Sequence, residues 1–213
     1  MKTMTQFRAA IEKAPIVPVL TVYEADHAEP LAEALVRGGL SSVEITLRTP
    51  AALGVIRRMG AVSDELIVGA GTIISEGDVD AALKAGSDFL VTPGMSPLLL
   101  DALSSHGGII LPGIATASEA MARFDEGFGV MKFFPAEAAG GARFLKSLAG
   151  PLPHMDFMPT GGITPQNAAD YLSLPNVIAV GGSWIATREE MAAGYWDAVA
   201  QKAAEAVRIG RSV

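Results

Sequence analysis

The chain has 213 residues, half of them hydrophobic and 18% charged, with a formal net charge of −7. That balance suits one soluble core and argues against nucleic acid or an anionic membrane as a partner. The absence of cysteine excludes disulfides, thiol catalysis and thiolate metal sites, and fits a cytoplasmic location.

Arg8, Glu12 and Lys13 interrupt the first apolar stretch, which argues against a signal peptide, and no apolar run reaches the roughly 18 residues of a membrane span. Residues 2–13 read as an amphipathic helix with Phe7, Ala10 and Ile11 on one face. Strand 16–22 follows, and then a helix that Asp26 caps, running through Leu31 and Leu35 to Gly38-Gly39. Strand 42–47 leads to helix 50–59, and strand 66–70 to a helix ending at Gly86. Strand 88–91 ends at Pro93-Gly94 before helix 96–105, and strand 109–111 ends at Pro112-Gly113 before a helix beginning near Ala117. The sixth strand, 130–135, precedes helix 141–149; the seventh, 155–158, ends at Pro159-Thr160-Gly161-Gly162 before a helix opened by Pro165. The eighth, 177–180, ends at Gly181-Gly182-Ser183, and a last helix spans 188–207.

Strict alternation with short connections implies parallel strands and right-handed crossovers. Eight such units predict an α/β fold, a single (β/α)8 TIM barrel with a short N-terminal helix, covering 1–213 as one domain. A doubly wound open sheet is the alternative architecture, but no interruption marks a switch point. In a barrel the C-terminal strand ends converge, which would gather Glu44 to Arg48, Gly71-Thr72, Pro93-Gly94, Pro112-Gly113, Lys132 and the two glycine loops on one face.

Lys132 lies in the apolar run Val130-Met131-Lys132-Phe133-Phe134-Pro135. A buried ammonium must lose its proton or find a counter-charge, and a neutral amine can form a Schiff base with a carbonyl. By itself the run also fits a structural lysine that snorkels to water. In strand 42–47, Val43, Ile45 and Leu47 should face the helices while Glu44, Thr46 and Arg48 point inward or to the mouth. An extended strand separates Glu44 from Arg48 by about 13 Å, so they should not pair directly. Glu44 suits proton transfer and Arg48 a carboxylate or phosphate, or both belong to an inner salt-bridge network. Gly161-Gly162 and Gly181-Gly182-Ser183 offer close backbone approach to an anion. Thr72 follows a strand end near Arg48, whereas Thr160 and Ser183 taken singly read as turn or cap residues. His27, His106 and His154 avoid the strand ends, so neither a histidine metal site nor a triad is expected. Trp184 reads as packing and Glu137 as a turn residue.

The segments Val43 to Thr49, Gly69-Ala70-Gly71-Thr72, Lys132 to Glu137, Pro159 to Ile163 and Gly181 to Trp184 together resemble the bacterial 2-keto-3-deoxy-6-phosphogluconate (KDPG) and 4-hydroxy-2-oxoglutarate (KHG) aldolases. The resemblance covers essentially the whole chain, with its motifs in order. It implies a class I, metal-independent aldolase, a homotrimer without a cofactor, forming its covalent Schiff base on Lys132. Glu44 would be the general acid/base, Arg48 and Thr72 would hold the pyruvate-like carboxylate, and Pro93, Phe134 and Thr160 would line the pocket. Gly161, Gly162, Gly182 and Ser183 would bind the phosphate. The implied partners are a phosphorylated 2-keto acid and pyruvate. The same lysine chemistry serves 4-hydroxy-2-oxoglutarate and the phosphogalactonate epimer; the rival from another class is a phosphosugar-binding barrel in which Lys132 is structural.

Overall fold

The computed structural model describes residues 2–212; Met1 and Val213, the ends of the unit expected over 1–213, lie outside the described residues. Helix α1 (Met4–Lys13) starts where Thr3 and Gln6 satisfy each other's backbone amides in a capping box. The α/β alternation then runs as β1 (Ile16–Leu20), α2 (Ala28–Arg37), β2 (Ser42–Thr46), α3 (Ala52–Met59), β3 (Ile67–Gly71), α4 (Glu76–Lys84), β4 (Phe89–Val91), α5 (Pro97–Ser104) and β5 (Ile109–Leu111). It continues as β6 (Gly113–Ile114), α6 (Ala117–Asp125), β7 (Val130–Phe133), α7 (Gly141–Leu148), β8 (Asp156–Pro159), α8 (Ala168–Leu172), β9 (Val180–Gly182), α9 (Arg188–Ala192) and α10 (Trp196–Arg211).

The strands do not form the single closed eight-stranded barrel that the alternation predicts. They form a six-stranded parallel sheet in the order β5-β4-β3-β2-β1-β9 and a three-stranded one, β6-β7-β8. The ladder changes partners at Pro112, which has no N–H to donate. Leu111 pairs with Val91 on one side, while Gly113 pairs with Lys132 on the other. The Gly113 amide, next in line, donates to the Thr92 hydroxyl at 3.0 Å instead of to a strand carbonyl. At the other seam, β8 meets the β9 segment only through isolated bridges at Phe157–Val177 and Thr160–Gly181. The strand expected at 177–180 forms as Val180–Gly182 because the Val177 amide is spent on the Leu174 carbonyl, closing a turn. The last helix, expected as one piece, breaks at Gly194, whose φ of 69° ends α9.

Two apolar layers hold this arrangement. The larger lies between sheets and helices and takes Val43 and Ile45 of β2 and Met131 and Phe133 of β7, the outward set that strand alternation requires. The smaller lies on the inner face, where Phe7 and Ile11 of α1 pack with Val17, Ile67, Phe89, Ile109, Val130 and Met158. Phe7 and Phe89 have ring centroids 5.0 Å apart. A side chain at Gly69 would run into the Phe89 ring at 2.3 Å, so β3 is kept bare there. Removing Phe7 from water contributes about 1.5–3 kcal/mol. These apolar contacts fill the end of the inner face next to α1. Glu44, Thr46 and Lys132, which lie further along the strands, are among the buried polar residues.

Candidate active site

Lys132 and Glu44 meet on that inner face although 88 residues separate them, with Lys132 Nζ donating to Glu44 Oε1 at 3.1 Å. The lysine is 5% exposed and the glutamate fully buried, so the lysine finds its counter-charge inside the protein and does not snorkel to water. The ammonium also lies 5.2 Å from the centroid of the Phe134 ring, within cation–π range. Glu44 is not paired with Arg48, as the strand spacing predicts.

The room for this pair comes from β3. A Cβ on Gly71 would lie 1.9 Å from Glu44 Oε1, so the glycine leaves the space that the carboxylate occupies. Thr46, on the same face of β2, is fully engaged: its hydroxyl lies 2.8 Å from that of Thr21 and donates to the Leu20 carbonyl. Five buried side-chain polar atoms have no partner among the described residues, and two of them are Glu44 Oε2 and Thr160 Oγ1. Buried polar groups left unpaired are rare because each costs about 1–3 kcal/mol. Thr160 follows β8 and bridges to Gly181, where a Cβ would meet the Thr160 hydroxyl at 2.2 Å. Gly181 thus clears space for Thr160 as Gly71 does for Glu44.

Just past β2 and β3, Arg48 Nε donates to the Thr72 hydroxyl at 3.2 Å. Thr72 has φ 63°, and it alone among the described non-glycine residues has a positive φ. A β-branched residue in the left-handed region is strained by roughly 1–3 kcal/mol and persists where its surroundings hold it. The guanidinium itself is exposed, leaving its other donors open to an anion. Pro93 reaches the site through Gly113, the register partner of Lys132: a Cβ on Gly113 would stand 2.3 Å from the Pro93 backbone.

The glycine loops take different roles. Gly161 and Gly162 have φ of 101° and 79°, a conformation glycine adopts at little cost. The turn after β7 is tied to them, with Ala136 N donating to Thr160 O at 2.8 Å and Glu137 N to Gly161 O at 3.1 Å. Gly182, by contrast, is covered by the Trp184 ring, 1.8 Å from where its Cβ would be, so Trp184 packs as the sequence suggests and Gly182 accommodates it. Ser183 is exposed directly after β9. Glu137 lies in the expected turn, but its carboxylate also accepts a hydrogen bond from the Tyr171 hydroxyl. Burial, reinforced by Glu137, pushes the Tyr171 hydroxyl above its ordinary range and keeps it a donor. No sequence motif marks Tyr171; only the fold brings it to Glu137.

Among the described residues no cluster of three or more His, Cys, Asp or Glu could hold a metal ion, and no helix is long and apolar enough to cross a membrane. A cavity of about 460 Å³ lies elsewhere, at the start of β2 and β3, lined by Lys13, Ser41, Asp64 and Ile67 among others. It contains none of the buried polar pairs, so chemistry points to the strand ends and not to the cavity.

The same strand-end residues fall within a match to the family model of KDPG and KHG aldolases, which spans residues 7–202. A 2-dehydro-3-deoxy-phosphogluconate aldolase of Pseudoalteromonas atlantica is 45% identical over 92% of this chain and 91% of its own length. The crystal structure of KDPG aldolase from Legionella pneumophila superposes with a TM-score of 0.88 at 38% identity, covering 92% of this chain and 96% of that one. That structure holds pyruvate captured at low pH as a covalent carbinolamine intermediate. A Zymomonas mobilis structure of the same enzyme with 3-phosphoglycerate gives a TM-score of 0.86 at 40% identity, covering 95% and 96% of the two chains.

Proposed function

The chain belongs to the KDPG and KHG aldolase family, and we propose that it cleaves 2-keto-3-deoxy-6-phosphogluconate to pyruvate and glyceraldehyde 3-phosphate through a Schiff base on Lys132. The observation that carries this reading is the buried Lys132–Glu44 contact of 3.1 Å, with Glu44 Oε2 still unpaired. Passing one proton from Nζ to the carboxylate yields a neutral amine and a neutral acid without changing the charge of the site. The amine attacks the C2 ketone, and loss of water leaves an iminium that withdraws electrons from C3. Glu44, returned to its carboxylate form, takes the C4 hydroxyl proton. The C3–C4 electron pair flows into the iminium as the bond breaks, releasing glyceraldehyde 3-phosphate and leaving an enamine. Glu44 returns the proton to C3, and water hydrolyses the iminium to pyruvate and the free amine.

The other groups receive one task each. Arg48, oriented by its bond to Thr72, holds the substrate carboxylate with its planar fork, and Thr72 supports it. Phe134 and Pro93 wall the reacting carbons, and the free Thr160 hydroxyl meets the substrate's polar edge. Gly161 and Gly162 bind the phosphate with Ser183, and Gly182 shapes that loop. This is a metal-independent, class I reaction within one catalytic domain. Homotrimeric assembly and a cytoplasmic location belong to the same reading and rest on the family resemblance.

Borohydride reduction with pyruvate tests the chemistry: mass spectrometry should find the reduced adduct on the Lys132 peptide, and its absence overturns the Schiff base. Comparing kcat/KM for the gluconate substrate, its galactonate epimer and 4-hydroxy-2-oxoglutarate tests the substrate. Equal values for the three would overturn the specific assignment.

A further inference from the structure

The loop that follows β8 is held from one side. The carbonyls of Thr160, Gly161 and Gly162 all accept from the protein: from Ala136 N, from Glu137 N and from Asn167 Nδ2, the last at 3.1 Å. In a planar trans peptide each carbonyl is opposed to the next residue's N–H. The Gly161 amide is therefore turned toward β9, where the bridge between Thr160 and Gly181 sets it against the Gly181 carbonyl, while the amides of Gly162 and Ile163 have no acceptor among the described residues. Two successive free amide donors beside glycines of positive φ offer an anion a binding concavity.

What holds the carbonyl side is a contact that the reaction leaves unused. The Glu137 chain passes over Gly162, with its Cγ 2.6 Å from where a Gly162 Cβ would be. Its carboxylate then accepts from the Tyr171 hydroxyl on α8, the helix that begins after the loop. Gly141, at the start of α7, lies beside both groups: a Cβ there would be in ordinary contact with the Tyr171 hydroxyl at 3.4 Å and with Glu137 Oε1 at 3.5 Å. The turn after β7 and the helix after β8 are thus joined across the loop.

We propose that Glu137 and Tyr171 are a positioning pair that sets the Gly162 and Ile163 amides for the distal phosphate of the substrate. The inference rests on the aldolase reading and assigns the pair no contact with substrate. The test compares Tyr171→Phe, Glu137→Ala and Glu137→Gln in two assays. One is cleavage of the phosphorylated substrate; the other is exchange of the pyruvate methyl protons with deuterium, which needs the lysine end of the site alone. Tyr171→Phe and Glu137→Ala should raise KM for the phosphorylated substrate about two- to tenfold, the scale of one lost hydrogen bond, with pyruvate exchange unchanged. Glu137→Gln, whose amide oxygen still accepts from Tyr171, should stay near wild type. An unchanged KM overturns the proposal, and so does a parallel fall in exchange, the mark of a merely structural role. A glutamine variant as impaired as the alanine one does the same. Failure of the aldolase reading is distinct: the wild type itself would then exchange no pyruvate protons.

Discussion

The Lys132 amine and the Glu44 carboxylate stand 3.1 Å apart where neither side chain is more than 6% exposed. Each is the other's charge partner in a place that solvates neither. Deleting one member leaves the other buried and unpaired, which costs about 3–5 kcal/mol. Lys132→Ala should therefore lose all cleavage and also lose stability, measured by denaturant unfolding. Adding Glu44→Gln to it should recover much of that stability without recovering activity. A Lys132→Ala variant as stable as wild type would show that the pair bears no such load.

Glu44 and Lys132 separate in kinetics. Glu44→Gln keeps the nucleophile and removes the proton acceptor, so turnover should fall about 10²- to 10⁴-fold. Borohydride should still trap pyruvate on Lys132 in this variant. Loss of trapping together with turnover would instead give Glu44 its main role in forming the imine.

Gly71 is expected to behave as part of the active site although it has no side chain. In Gly71→Ala the new methyl would overlap Glu44 Oε1 and displace the carboxylate. A shift of about 1 Å at a reacting group can cost 10²-fold in rate. The expected result is a drop of that order in kcat, with a stability loss of about 1–3 kcal/mol from overpacking. Wild-type kcat in this variant would contradict the assigned role of Glu44.

Thr72 trades stability for position. Its φ of 63° is free for glycine, so Thr72→Gly should relieve strain and roughly offset the added flexibility of the unfolded chain, leaving Tm close to wild type. The same change removes the hydroxyl that Arg48 holds, and KM for the keto acid should rise several-fold. A large fall in Tm would mean that Thr72 is not strained.

Stability at acid pH offers a separate check on the helix caps. Glu119 closes the capping box of α6, and its carboxyl is held below the ordinary 4.5 chiefly by the backbone amide of Ala115, with Thr116 adding to it. A lowered folded-state value means that the stabilisation is fully present above the ordinary value. It is lost as pH falls through the folded-state value. The Tm gap between wild type and Glu119→Gln should therefore stay constant above about pH 4.5 and narrow as pH falls below it. A gap that stays constant as pH falls well below that value would contradict the assignment.

Much of the site was legible because strand alternation is local. Val43 and Ile45 face the helices and Glu44 faces inward, as a period of two requires. The lysine in its apolar run, and the glycines after β8, could be picked out from composition and position. Partners could not. Lys132 could not be matched to Glu44, nor Glu137 to Tyr171, because their contacts span 88 and 34 residues. Two of the glycines also carried a different meaning: Gly71 and Gly181 hold room for Glu44 and Thr160, a requirement visible only when the neighbouring strand is in place.

The sequence by itself determined the alternation of strands and helices, the inward set of β2 and the apolar segment that carries Lys132. All of these follow from periodicity and from the solvation of single side chains. The tertiary structure alone decided how the strands connect. A proline without an amide at 112 and a turn that consumes the Val177 amide open the ladder at two seams, and hydrogen bonds between strands are long-range. It also decided that the buried amine has a carboxylate within 3.1 Å, since which charges meet in the interior depends on register and crossover, not on neighbours along the chain.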